Sequence, residues 1–182
     1  MLRRTALKKL GILTGGLILL PSCNFSEEKA SVILKSLNIT AEQEKVLKAI
    51  VDTLIPEGEI PGAISLGVDH FVWIMVDDTL NAGRQHMFIK GLSLFNSNVK
   101  KESGKSFEKL RKEDQFKTLA KASANNENGE IIDFINTTKY LTQMGYMQSE
   151  YIMTRIMPYS LVPRSYGNCV DTDPNKRINI YA

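Results

Sequence analysis

From Thr40 onward, apolar residues return at helical intervals and are interrupted by turn-forming clusters. Thr40-Ala41-Glu42-Gln43 reads as a capping box, with Thr40 as N-cap and Gln43 three positions on. Val46, Leu47, Ile50, Val51 and Leu54 then form one stripe, and Pro56 ends the helix because the residue before a proline is pushed out of helical geometry. The link 56–63, with two prolines and two glycines, reads as a loop. Residues 66–78 resume the pattern, with Phe71, Val72, Met75 and Val76 apolar and Asp69, Asp77 and Asp78 on the polar side. A third helix is expected from Ala82 to about Lys101, its inner face carrying Phe88, Gly91, Leu92, Phe95 and Val99.

Gly104 to Ser106 break that helix, and Phe107 and Leu110 anchor a short link. Residues 112–124 read as a fourth helix facing inward through Phe116, Leu119 and Ala120. A turn at 125–129 leads to a long fifth helix over 131–148, with Ile131, Phe134, Ile135, Leu141 and Met144 inward. Ser149 is expected to cap a last short helix reaching Met157. Beyond Pro158 the periodicity dissolves into an extended tail with Tyr159, Tyr166 and Tyr181, which needs a surface to lie on. The expected fold is all-α, an irregular bundle of five or six helices with an extended C-terminal tail, preceded by a cleavable export signal.

That signal occupies residues 1–22. Arg3-Arg4 opens a basic head, Ile12 to Leu20 form an apolar run, and Leu20-Pro21-Ser22-Cys23 closes it. The run is about half of the roughly 20 residues that cross a bilayer. Paired arginines followed by Leu7-Lys8 point to the twin-arginine route, which carries folded cargo, although Leu2 and Ala6 depart from its pattern. An ordinary secretory signal is the alternative. Cys23 stands where a lipobox places its acylated cysteine, which puts the chain on the periplasmic side of the envelope, held to the membrane as a lipoprotein. Asn24 is not the Asp that often marks inner-membrane retention, and the choice of inner or outer membrane stays open. Residues 23–38, rich in Ser, Lys and Glu up to Ser36, read as a tether, and 39–182 as the domain with its irregular tail from about 158.

Charge narrows the function. The net of +3 comes from 23 Lys and Arg against 20 Asp and Glu. Arg3, Arg4, Lys8 and Lys9 lie in a signal with no acidic residue, so the remainder stands at −1, and nucleic acid is excluded as a partner. With Cys23 lipidated, Cys169 has no partner in the chain, which leaves a buried thiol or an intermolecular disulfide. No dinucleotide fingerprint, phosphate loop, nucleophile elbow or haem-attachment spacing is present. His70 and Asp77 could be imagined as a metal pair but read better as solvated residues, and Asp77-Asp78 as a solvated helix end. The methionines and aromatics of 144–157 read as core or partner face. The expectation is no catalytic, cofactor or metal site in this chain.

Asp52-Thr53-Leu54-Ile55-Pro56 followed by Ile60-Pro61-Gly62-Ala63 resembles the opening of the gluconate 2-dehydrogenase subunit 3 family, and Met144-Gly145-Tyr146, Met157-Pro158-Tyr159 and the stretch from Pro163 to Gly167 resemble its closing segment. The resemblance implies a non-catalytic small subunit of a periplasmic, membrane-associated sugar or sugar-acid dehydrogenase. FAD would reside in a large flavoprotein of the glucose–methanol–choline type and haem c in a cytochrome subunit. A chain without a cofactor gains little from folding before export, so the label would serve the flavoprotein. Partner contact is expected at the loop after Pro56 and in the tail, through Tyr159, Pro163, Tyr166 and Cys169. A free-standing envelope lipoprotein with a binding or scaffolding role is the competing reading.

Overall fold

The computed structural model describes residues 30–124 and 128–157. Among them the fold is helical, with no strand. The described residues form five α-helices: α1 (Ala41–Leu54), α2 (Val68–Thr79), α3 (Ala82–Ser103), α4 (Lys112–Ala124) and α5 (Gly129–Met147). A 3₁₀ turn, Phe107–Lys109, joins α3 to α4, and a π-helical turn, Ile152–Ile156, follows α5. None of the described helices is long and apolar enough to cross a membrane.

The helix ends follow from local chemistry. Both bonds of the capping box form, Gln43 N–H to Thr40 Oγ1 at 3.2 Å and Thr40 N–H to Gln43 Oε1 at 2.9 Å. Asn81 caps α3 through Arg84 N–H, and Asn128 caps α5 through the amides of Glu130 and Ile131. Ser149 is not a forward cap: its hydroxyl donates back to the Tyr146 carbonyl at 2.7 Å.

Helix α5 is the centre, packed against α3 and α2 most extensively and against α1 and α4 as well. The closest approach is at Gly91, where an added Cβ would stand 2.5 Å from both the Glu130 carbonyl oxygen and the Phe134 Cβ. A chain of rings runs through the core: Trp73 to Phe88 at 6.0 Å, Phe88 to Phe134 at 5.0 Å, Phe134 to Phe95 at 6.2 Å and Phe95 to Phe107 at 5.2 Å. Edge-on and tilted contacts of this kind add to the burial of the rings. The expected stripes of α1, α3 and α5 are buried, apart from Leu54 and Met144, which are half-buried.

Three expectations are corrected. On α4 the inner positions are Gln115 and Leu119, with Ala122 half-buried, whereas Phe116 is 66% exposed and Ala120 is also outside. The amide takes the inner place with its Nε2–H bonded to the Phe107 carbonyl at 3.0 Å, an oxygen that also accepts the Leu110 N–H of the 3₁₀ turn at 3.1 Å. On α2, Trp73 is a fully buried core residue, and Asp69 and Asp77 are buried rather than solvated. Finally, residues 30–39, expected to be mostly tether, run along the bundle with Val32, Leu34, Leu37 and Ile39 packed against the core.

Candidate functional site

The distinctive stretch is the loop between α1 and α2. Helix α1 stops at Leu54, and Ile55 N–H still reaches the Val51 carbonyl at 3.1 Å. The chain then reverses so that Ala63 N–H donates to the Ile55 carbonyl at 2.9 Å and Val68 N–H to the Ala63 carbonyl at 3.0 Å. Ala63 is wholly buried. Gly62 lies against the backbone it doubles back on: a Cβ there would be 2.6 Å from the Glu57 nitrogen and 2.7 Å from the Pro56 carbonyl carbon. Only glycine allows that approach.

Two side chains lock the turn. The Glu57 carboxylate accepts from Gly62 N–H at 2.9 Å and from the Ser65 hydroxyl at 2.6 Å. The Ser65 hydroxyl, and after it the Gly62 amide, hold the Glu57 carboxyl below the usual glutamate range. From the far side, the Tyr146 hydroxyl on α5 donates to the Pro61 carbonyl at 2.9 Å. Burial foremost, then the neighbouring Tyr151 and Glu57, pushes the Tyr146 phenol above its ordinary value. The P-G-A element and Met144-Gly145-Tyr146 are thus one structural unit, 85 residues apart in sequence across that bond. With the Gly62 amide and the Pro61 carbonyl each bonded within the fold, the loop leaves Glu57, Gly58 and Glu59 exposed as an acidic edge. Such an edge suits recognition better than bond-making chemistry.

A second feature is a groove of about 600 Å³ between α2, α3 and α5. Met75, Met87, Met144, Leu80 and Tyr140 line it, with Arg84 and Asp133 among the polar lining residues. Met87 and Tyr140 are exposed there. Sequence reasoning missed it because the three methionines come from three helices and share no spacing.

Asp77 has a role unlike either one expected of it. Its carboxylate accepts the backbone N–H groups of Lys35 at 2.6 Å, Ser36 at 3.1 Å and Leu37 at 3.0 Å. Asp78 pairs with the Lys35 ammonium at 2.8 Å. His70 is exposed, its Nδ1 3.7 Å from Asp69. Seven helical residues span about 10 Å, so His70 and Asp77 do not share a ligand position. His86 is exposed on α3. Among the described residues, no three His, Cys, Asp or Glu side chains converge as a metal site. Arg3, Arg4, Cys23, Tyr159, Pro163, Tyr166 and Cys169 lie outside the described residues.

Compared with known proteins, residues 41–163 match the family model described as gluconate 2-dehydrogenase subunit 3. No curated protein and no solved structure matches the chain.

Proposed function

The chain belongs to the gluconate 2-dehydrogenase subunit 3 family, and from that premise we propose that it is the small accessory subunit of a membrane-associated flavin dehydrogenase acting on a sugar or sugar acid. The observation that carries this reading is the match itself, which spans all five described helices and both halves of the loop unit. In this reading the chain contributes no catalytic group. It escorts a folded flavoprotein through twin-arginine export by way of Arg3 and Arg4, holds it to the membrane through a lipid on Cys23, and stabilises it by contact. FAD belongs to the glucose–methanol–choline-type large subunit, and haem c to a cytochrome subunit that passes the electrons on. The complex works on the periplasmic side of the envelope.

The loop supports the escort role physically. Partner recognition favours surfaces whose shape is set before contact, because less ordering remains to be done on binding. The Glu57 and Tyr146 bonds set the loop in that sense. Tyr159, Tyr166 and Cys169 are proposed to extend the contact along the tail, with Cys169 available for a disulfide to the partner.

The test is co-purification. Tagged full-length chain, extracted from membranes with detergent, is expected to bring down a larger polypeptide and a flavin absorbance band. Recovery of one colourless species would overturn the escort reading and favour the free-standing lipoprotein. On non-reducing gels, the two chains migrate together if Cys169 is bridged and separately if it is not.

A further inference from the structure

The groove between α2, α3 and α5 has the form of a seat for a helix. Its floor is core: Phe88 and Phe134, both buried, meet ring to ring at 5.0 Å. Its long wall is one stripe of α5, Asp133, Thr137, Tyr140 and Met144, rising about 16 Å or three helical turns. Met147 continues that stripe and is 41% exposed, and at the rim Met87 and Tyr140 are 46% and 65% exposed. Large apolar side chains gathered on one groove differ from the single ones that any surface carries.

The walls narrow the choice of occupant. They are helices, whose main-chain groups bond within themselves, and at the α2–α3 corner Gln85 Nε2 takes the carbonyls of Asp77 and Leu80 at 2.8 and 3.0 Å. An extended segment laid there would bury main-chain groups with little to pair with, whereas a helix arrives with its own bonds made. A small molecule must lose most of its surface to the protein, and a trough whose rim is this exposed does not close over one. The thioethers of Met75, Met87 and Met144, one on each helix, adapt their shape to incoming side chains. Charge completes the description. Arg84 and Asp133 line the groove, both exposed, and among the described residues neither is in an ion pair. Arg84 lies about 10 Å along α3 from Gly91, which rests against the start of α5. The two charges thus mark different points along the groove, and each calls for its opposite on the occupant.

We propose that this groove seats an amphipathic helix of the larger subunit. Its apolar side chains, at i, i+3 or i+4 and i+7, enter between Met75, Met87, Tyr140 and Met144, with an acidic residue opposite Arg84 and a basic one opposite Asp133. The inference rests on the accessory-subunit reading given above. It adds a second contact to the α1–α2 loop, since no residue of that loop lines the groove.

The experiment uses the tagged full-length chain and the complex it brings out of detergent-solubilised membranes. Met87→Glu combined with Tyr140→Glu puts charge where the apolar anchors enter, and Phe116→Glu, at an exposed apolar position on α4, is the control. Recovery of the larger subunit is expected to fall roughly tenfold or more in the double variant, because docking would bury unpaired charge. The control is expected to match the parent, with thermal unfolding unchanged in both variants. A benzoylphenylalanine photocrosslinker in place of Tyr140 identifies the occupant directly, and attachment to a segment of the larger subunit with the stated apolar spacing is expected. Should the double variant unfold, the crosslink decides alone. Full recovery by a folded double variant would overturn the seat and leave the accessory-subunit reading standing. Crosslinks to a second copy of this chain, to another part of the same chain, to lipid or to nothing would overturn the proposed occupant. A parent chain recovered alone and colourless would overturn both the seat and the reading it rests on.

Discussion

Tyr146 and Glu57 grip the α1–α2 loop from opposite sides, and each makes a separable prediction. Tyr146→Phe leaves the Pro61 carbonyl without its donor. The expected loss of stability is about 1 kcal/mol, the net worth of one neutral hydrogen bond, read as a shifted denaturant midpoint at unchanged slope. Gly62→Ala pushes a Cβ into the Glu57 and Pro56 backbone rather than into a flexible side chain. The expected cost is about 1–3 kcal/mol, the range for overpacking. Glu57 adds a pH dependence. Its carboxyl is held below the ordinary value of 4.5, so the folded state favours the ionised form. That contribution is complete above the ordinary value and is lost as pH falls through the lowered one. Protection of the Gly62 amide, corrected for intrinsic exchange, is therefore expected to persist at pH 6 and to fade below about pH 4.5. In Glu57→Gln the acid dependence disappears, and protection that still faded with acid would place its origin elsewhere.

At the scale of elements, the sequence was legible where one stripe meets one core and illegible where a polar group takes an inner place. The capping box, the proline stop and the stripes of α1, α3 and α5 rest on local rules, and the bundle keeps them. Helix α4 keeps Leu119 inside as expected but turns Gln115 inward in place of Phe116, because a glutamine bonding the 3₁₀ turn competes with a phenylalanine for the inside, and no spacing rule weighs that. Asp77 was misread for the same reason, since its donors lie about forty residues earlier in the chain. These inversions can be tested on α4. Gln115→Leu removes one of the two hydrogen bonds on the Phe107 carbonyl, the Leu110 N–H remaining, and is expected to cost about 1 kcal/mol. Phe116→Ser, on the same helix but exposed, is expected to change stability by no more than about 0.5 kcal/mol. A larger loss at Phe116 than at Gln115 in thermal unfolding would contradict the observed face. On α5, the close approach at Gly91 makes Gly91→Val a severe change, because both neighbours are on the packed helix axis rather than at flexible tips.

Across the whole molecule, the described bundle carries a shaped loop at one end of α1, an apolar groove between α2, α3 and α5, and residues 30–39 laid along it. The family-specific residues of the sequence pointed to the loop, because proline, glycine and alanine at that spacing leave few backbone choices. The groove was hidden, because its lining comes from separate helices. On the proposed function, the export label acts on a polypeptide other than the one that carries it, and this can be tested without knowing the substrate. Replacing Arg3 and Arg4 by lysine keeps the charge of the head but removes the paired arginines the twin-arginine route reads. The expected outcome is retention of the flavoprotein in the cytoplasm, with its flavin bound, alongside unprocessed small subunit. The flavoprotein carries no such label of its own in this scheme, so immunoblots of cytoplasmic and periplasmic fractions follow it directly. A flavoprotein that still reaches the periplasm beside a retained small subunit would mean that the label addresses this chain alone.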